Sequence, residues 1–185
     1  MNPDGEPTTN IYNWYTKLGL VCNERAGFAM GMIASAALLG VSLSCLFIPR
    51  LGDLYGRKPI YCFALGLQLP VYIAVCFFNK MLPMYVTAFL LGPTITGRMA
   101  CGFLLLLETM PKKNQAMVGA GLMIAEGSTQ IIWTLYFVLI NTNSFYFIYF
   151  TIVLTAVALF LCIWVQESPR YLFGMEKFDD CKEVL

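Results

Sequence analysis

PRLGDLYGRKP, residues 49–59, is a short charged stretch between two long apolar segments of this chain. It holds one carboxylate, three cationic side chains and two glycines. Charged side chains are costly in the hydrocarbon of a bilayer. We therefore expect the stretch to be a loop that lies in water at one face of a membrane.

The composition of the whole chain is typical of a membrane protein. Its 185 residues are 58% hydrophobic and 12% charged, whereas soluble domains carry about 25% charged residues. The mean hydropathy is +0.67. A net charge of +1 provides no basic face for the phosphates of a nucleic acid, so no nucleic-acid partner is expected. Histidine, the commonest general base and metal ligand, is absent, and no cofactor is indicated.

The seven cysteines are mostly placed inside apolar segments. Their simplest interpretation there is as small hydrophobic residues, and a disulfide framework is not expected. The cysteines in question are Cys45, Cys62, Cys76, Cys101 and Cys162.

A helix that spans a bilayer needs about 20 apolar residues, and five segments are long enough. We place them at residues 26–48, 60–79, 84–107, 116–140 and 145–165. The predicted fold class is therefore an all-α integral membrane protein with about five transmembrane helices. We expect a polar non-cytoplasmic segment at 1–25, a five-helix bundle at 26–165 and a cytoplasmic-side tail at 166–185. Gly27 and Gly31 form a G-x-x-x-G pair, a pattern that often marks close helix packing.

The distribution of Lys and Arg predicts the orientation, because cytoplasmic loops carry an excess of positive charge. Residues 49–59, 108–115 and 166–185 together hold eight basic residues, and the opposite side holds three. The first set is therefore expected to face the cytoplasm or its topological equivalent. The two sets are Arg50, Arg57, Lys58, Lys112, Lys113, Arg170, Lys177 and Lys182, against Lys17, Arg25 and Lys80.

Four residues of the charged stretch carry a family resemblance. Asp53, Gly56, Arg57 and Lys58 match the pattern G-x-x-x-D-R-x-G-R-[KR] in identity, spacing and side of the membrane. The stretch resembles the loop between the second and third helices of major facilitator superfamily transporters.

Two further strings extend this resemblance along the chain. ESPRYL at 167–172 is similar to the P-E-S-P-R-[YW]-L motif that follows the sixth helix in sugar porters and organic cation/anion transporters. Trp14 and the LVC at 20–22 resemble a string that precedes the second helix in the organic-ion branch. The chain thus resembles helices two to six of the N-terminal half, without the first helix and the second half.

The chain also departs from the family patterns. Pro49 replaces the first glycine of the loop motif, and Leu54 replaces its usual arginine. Gln166 replaces the proline with which the second motif normally begins. In its fourth helix, the family has an arginine that is associated with proton coupling or substrate charge. The corresponding residue of this chain is Ala88. These changes fit a divergent transporter or one that no longer transports.

The resemblance implies a gating role for charged residues at the cytoplasmic face. In the family, such a network stabilises one state of the alternating-access cycle. Arginine favours bidentate pairing with carboxylates, and glycine permits a tight turn. The competing interpretation is a set of ordinary solvated loop charges. The expected members are Asp53, Gly56, Arg57, Lys58, Glu108, Glu167 and Arg170.

Two ionisable residues, Arg98 and Glu126, lie inside predicted spans. At 1.5 Å per residue, each is roughly 15 Å from the cytoplasmic boundary, near the bilayer centre. Intramembrane charges usually face a partner or a cavity. Our hypothesis is that the two residues pair, or line a polar cavity together with Gln130. The alternatives are a purely structural ion pair and an arginine that snorkels to the interface.

Two functions compete for such a chain. The first is part of a secondary active transporter that moves small organic solutes, organic ions or sugars, by alternating access. The second is a transporter-derived structural subunit of a larger membrane complex. An enzyme is not expected, because no nucleophile and base form a recognisable pair. The expected partners are the lipid bilayer, a missing transporter half or other membrane subunits, and a small organic solute. The plasma membrane and an organelle membrane remain alternatives.

Overall fold

The computed structural model describes residues 14–20, 24, 26–139, 143–165, 167–168, 171 and 173. The secondary-structure elements in these ranges are all helical. Helix α4, a π-helical segment and helix α5 follow one another without a break. The elements are α1 (Trp14–Lys17), α2 (Ala26–Tyr55), α3 (Arg57–Phe77), α4 (Met81–Thr96), the π segment (Gly97–Gly102), α5 (Phe103–Thr109), α6 (Gln115–Leu139) and α7 (Ser144–Cys162).

Five helical stretches are long and apolar enough to cross a membrane. They are Ala26–Tyr55, Arg57–Phe77, Met81–Thr109, Gln115–Leu139 and Ser144–Cys162. The predicted fold class and the predicted number of spans are confirmed, and the chain is a multi-pass membrane protein. Many large apolar side chains lie on the outside of the bundle, among them Phe28 and Leu38. Lipid tails are as apolar as these side chains, so such a surface is stable in a bilayer.

The predicted loop at 49–59 is wrong, because nearly all of it is helical. Helix α2 continues through Pro49 to Tyr55, and α3 begins at Arg57. A proline inside a helix removes one backbone hydrogen bond, and α2 accommodates that loss. The break falls at Gly56, which has a φ of +102° and donates its N–H to the carbonyl of Gly52 at 3.1 Å. A residue with a side chain is strained at this φ, so glycine supplies the sharp turn between the two spans.

Helices α2 and α4 approach each other at two glycines. A Cβ added to Gly92 would collide with the backbone of Gly40 and Val41. One added to Gly40 would collide with the backbone of Phe89. Small residues allow helices in membranes to come into backbone contact in this way. The G-x-x-x-G pair singled out in the sequence does not do so, since nothing described lies within 4 Å of a Cβ added at Gly27 or Gly31.

The end of the bundle near α1 is fastened by Lys17. Its ammonium donates to the carbonyl of Cys76 at the end of α3, and it lies 5.1 Å from the ring centroid of Phe145 at the start of α7. A cation is stabilised both by helix C-terminal carbonyls and by the face of an aromatic ring. Leu20, which is buried, packs nearby with the first turns of α2.

A disulfide joins α3 to α7, contrary to the expectation from the sequence. Cys62 and Cys162 are bonded, with their Cα atoms 6.4 Å apart. Three further described cysteines are free: Cys45, Cys76 and Cys101. The two bonded residues are 100 positions apart in sequence, so only the packing of α3 on α7 brings them together. Local spacing carries no trace of the pair, which is why the sequence indicated only small hydrophobic residues.

Candidate functional site

The N-terminus of α3 is capped by a carboxylate from the other end of the chain. Glu167 Oε1 accepts hydrogen bonds from the backbone N–H groups of Arg57 at 3.0 Å and Lys58 at 3.1 Å. It also accepts from the N–H of Ser168 at 3.0 Å. The first N–H groups of a helix have no partner within the helix, and the positive end of the helix dipole favours an anion. Glu167 therefore supplies the cap that Gly56, without a side chain, leaves open.

Gly56 is required at this position for two reasons. Its φ of +102° is strained for residues with a side chain. In addition, a Cβ added there would lie 2.7 Å from Oε2 of Glu167 and 3.2 Å from the ring of Tyr171. The glycine therefore both turns the chain and leaves space for the capping carboxylate.

Arg57 has one buried and one exposed carboxylate partner. Its Nη1 forms an ion pair with Oε1 of Glu108, although the alignment is not that of an N–H···O hydrogen bond. The two side chains are only 13% and 12% exposed. Its Nη2 donates to Oδ1 of Asp53 at 3.4 Å, and Asp53 is 69% exposed. Exposed pairs contribute little, whereas breaking a buried pair leaves an uncompensated charge. The pair with Glu108 is therefore the stronger constraint on Arg57.

Ser168 belongs to the site, although sequence reasoning gave it no role. It is fully buried, and its hydroxyl donates to Oε2 of Glu108. It thereby links the Arg57–Glu108 pair to the Glu167 cap. Tyr171 adds a neighbouring contact, since its hydroxyl donates to the carbonyl of Leu54 at 3.3 Å. Both residues stand inside the ESPRYL string, so the motif itself was the signal that could have found them.

Lys58 contributes differently from the expected charge network. Its backbone N–H donates to Glu167, while its ammonium donates to the carbonyl of Ile163 at 3.0 Å. Ile163 directly follows α7, whose terminal carbonyls lack helical partners, so a lysine there stabilises the helix end. Arg170, the remaining expected member, lies outside the described residues.

These contacts form one group, which we name the basic-end cluster. It joins four of the five spans, since its members come from α2, α3, α5 and the segment after α7. The structure therefore brings together every described residue of the expected network, and its gating role remains a prediction. The cluster consists of Asp53, Gly56, Arg57, Lys58, Glu108, Glu167 and Ser168.

The second expected site is not assembled as an ion pair. Arg98 lies in the π segment and Glu126 in α6, and both are exposed, as is Gln130. No ion pair joins Arg98 to Glu126, since the ion pairs among described side chains are those of Arg57. Helix α6 has no buried residue, and it meets α5 near its start, where Gly119 faces Phe103. The polar-cavity alternative stays a prediction.

The aromatic residues of α6 are used in packing. Trp133 lies 3.8 Å from Phe147 between ring centroids, and the Tyr136 hydroxyl donates to the carbonyl of Asn143 at 2.9 Å. These contacts join the end of α6 to the start of α7. Within the described part of the chain, no group of three or more His, Cys, Asp or Glu side chains is placed to hold a metal ion.

The chain matches a known protein family along almost its whole length. A family model described as "Sugar (and other) transporter" matches residues 8–185. The chain belongs to this family. Membership confirms the resemblance to the major facilitator superfamily that the motifs around Asp53 and Glu167 indicated.

This member of the sugar (and other) transporter family is similar to two curated relatives. It is 27% identical over 196 residues to solute carrier family 22 member 15 of Xenopus tropicalis, covering 98% of this chain and 33% of that protein. It is 25% identical over 169 residues to the inner membrane metabolite transport protein YgcS of Escherichia coli strain K12, covering 85% and 36%. The chain thus spans about a third of the length of the curated relatives it matches. No solved structure matches it significantly.

Proposed function

We propose that this chain is part of a secondary active transporter that moves small organic solutes by alternating access. In this proposal the basic-end cluster holds the basic end of the bundle closed in one state of the cycle. The observation that carries it is the buried Arg57–Glu108 pair beside the Glu167 cap, in a chain of the sugar (and other) transporter family.

The chemistry of the cluster suits a contact that must both form and break. Moving charges out of water costs several kcal/mol per ion, and their mutual attraction offsets much of that cost. Opening the basic end would return Arg57 and Glu108 to water, so the closed and open arrangements can lie close in free energy. Alternating access proceeds largely by rocking of one helix bundle against another. While the cluster is closed, it holds four spans together, so that they move as one unit.

The names of the relatives support transport over a structural subunit. One is a solute carrier and the other a metabolite transport protein, and no observation on this chain favours the alternative. Both relatives are about three times as long as the matched region. Helix α6 buries no residue in the described structure. We expect its free face to contact further helices of the transporter, and the rest of the bundle surface to contact lipid.

The proposed solute-facing residues are Arg98, Glu126 and Gln130. All three are exposed on helices. At 1.5 Å per residue, Arg98 and Glu126 lie roughly 15 Å from the basic end, and Gln130 lies about one helical turn deeper. Arg98 lies in the π segment, and short π-helical interruptions are frequent at functional sites. Because an intramembrane charge is costly in lipid, these side chains are expected to face a water-filled cavity.

The double substitution Arg98→Gln and Glu126→Gln is expected to reduce uptake at least tenfold while the protein still folds, since one lost charge contact of about 1.4 kcal/mol already gives that factor. The measurement is uptake of labelled organic cations, organic anions and sugars into vesicles that contain the complete natural polypeptide. Thermal unfolding reports on folding. Arg50→Gln is the matched control, because Arg50 is exposed at the basic end outside the cluster. A folded double variant with unchanged uptake would remove these residues from the solute path, and failure of the unmodified protein to take up any solute class would contradict transport itself.

A further inference from the structure

We propose that Cys62 and Cys162 form a reversible disulfide that responds to the redox state around the basic end and locks the end of α7 onto α3. Their Cα atoms are 6.4 Å apart, within the range that a disulfide bridges without backbone movement. Cys162 is 1% exposed, and Cys62 is half-buried. The half-buried member gives small reagents a route to the pair, while the buried one is held against its partner.

The position of the pair indicates a reversible bond rather than a permanent one. Cys62 lies five residues after α3 begins, and Cys162 is the last residue of α7. Both are therefore at the basic end, which the excess of Lys and Arg predicts to face the cytoplasm. Thiols are kept reduced there, and disulfides that do form in that compartment are usually transient, catalytic or redox-sensing.

The proposed oxidant is a peroxide, which is small and uncharged. One thiolate attacks hydrogen peroxide and becomes a sulfenic acid, and the hydroxide that leaves takes up a proton to form water. The second thiolate then attacks the sulfenic sulfur and forms the S–S bond, and the hydroxide that leaves takes up a proton to form a second water, the two protons being those that the thiols lost on ionising. Two thiols and one peroxide thus give one disulfide and two waters. A dithiol reductant restores both thiols by exchange through a mixed disulfide.

The bond joins the same two segments as the Glu167 cap. Cys162 is followed directly by Ile163, whose carbonyl accepts a hydrogen bond from Lys58. Glu167, which provides the capping carboxylate, is five residues after Cys162. On α3, Cys62 lies one turn beyond Lys58. When the disulfide is closed, the segment that carries Glu167 stays beside the N-terminus of α3 even if the cap opens. A resulting arrest of transport in the oxidised form rests on the proposed function, whereas the bond and its effect on the cap do not.

Differential alkylation of the complete polypeptide in membranes tests the bond. Free thiols are blocked with N-ethylmaleimide after peroxide treatment, the protein is reduced, and newly freed thiols receive iodoacetamide. Mass spectrometry then quantifies each label at Cys62 and Cys162. In the peroxide-treated protein, both residues are expected to carry the iodoacetamide label, and this label is expected to disappear when dithiothreitol is added before the block. In Cys162→Ser, Cys62 is expected to carry N-ethylmaleimide instead. In the control Cys45→Ser, Cys62 and Cys162 are expected to keep the iodoacetamide label. Three outcomes would overturn the proposal. They are N-ethylmaleimide at both residues of the peroxide-treated protein, iodoacetamide at Cys62 in Cys162→Ser, and a disulfide that dithiothreitol does not reduce.

Thermal unfolding tests the effect on the cap without any transport assay, so its outcome is separate from that of the proposed function. Glu167→Gln is expected to lower the melting temperature more in the dithiothreitol-treated protein than in the peroxide-treated one. Interactions in one shared junction are non-additive, whereas distant ones add. An equal loss in the two redox states would overturn the link between the disulfide and the cap. In Cys162→Ser the two treatments are expected to give the same loss, which excludes an effect of peroxide on other residues.

Discussion

Replacing Glu108 by glutamine is expected to destabilise the protein by up to about 3–5 kcal/mol, the cost of removing the buried partner of a charge, since only the exposed Asp53 then remains to pair with Arg57. Arg57 is only 13% exposed and its Nη1 atom is buried, so water replaces the lost carboxylate poorly. Glutamine keeps an oxygen that accepts from the Ser168 hydroxyl, and the substitution therefore removes charge with little change in shape. The measurement is thermal or denaturant unfolding of the full-length protein in lipid nanodiscs.

Asp53→Asn is the matched control, since it removes the other carboxylate of the same arginine. Asp53 is 69% exposed and stands at i, i+4 from Arg57. The break at Gly56 separates the two residues into different helices, so the value for an exposed ion pair applies, roughly 0.2–1 kcal/mol, and the loss is expected to be small. Similar losses of stability in the two variants would contradict the assignment of Arg57–Glu108 as the dominant pair.

Replacing Gly92 by alanine is expected to be strongly destabilising, because the added Cβ meets backbone atoms of Gly40 and Val41 in α2. A backbone neighbour cannot rotate away, so α2 and α4 must separate. Overpacking of this kind typically costs about 1–3 kcal/mol, and occasionally more. The measurement is the yield and melting temperature of the folded protein after extraction from membranes.

Gly66→Ala is the control for that substitution and is not expected to destabilise the protein. Nothing described lies within 4 Å of a Cβ added at Gly66, in the middle of α3. Alanine is favoured over glycine in a helix by about 0.8–1 kcal/mol, so this variant should be neutral or slightly more stable. If Gly92→Ala were as well tolerated as Gly66→Ala, the close approach of α2 and α4 would be contradicted.

The features predicted correctly from the sequence are those that depend on composition along the chain. Five long apolar stretches are sufficient to indicate five spans, because nothing but lipid or other helices can cover so much apolar surface. The predicted ends of the spans were less accurate. Residues 49–59 are predicted to be a loop because their charges belong in water at a membrane face, but a helix can extend into that water, and here the charged residues continue α2 and start α3. Only the positive φ of Gly56 ends the helix.

The partners of the site residues depended on long-range packing, which a single sequence does not encode locally. Glu167 and Arg57 were placed in one network through motifs, and the structure adds which groups meet: a side chain with a helix N-terminus, rather than side chains alone. Cys62 and Cys162 had no motif, so their bond was missed. Arg98 and Glu126 were matched by depth alone, and depth does not determine which face of a helix a residue occupies.

The central claim is that the basic-end cluster closes this end of the bundle, and a native thiol beneath it can report on opening. Cys101 is free and 2% exposed, and a Cβ added to Gly52 would lie 2.9 Å from its sulfur. Cys76 is also free and buried, at the opposite end of α3. Cys101 is therefore the reporter and Cys76 the internal reference.

The decisive measurement is the rate at which a membrane-impermeant maleimide alkylates each thiol from the basic side, in the unmodified protein and in Glu108→Gln. The account predicts faster alkylation of Cys101 in the variant, with the rate at Cys76 unchanged. An unchanged rate at Cys101, or an equal rise at both cysteines that signals general loosening, would contradict it.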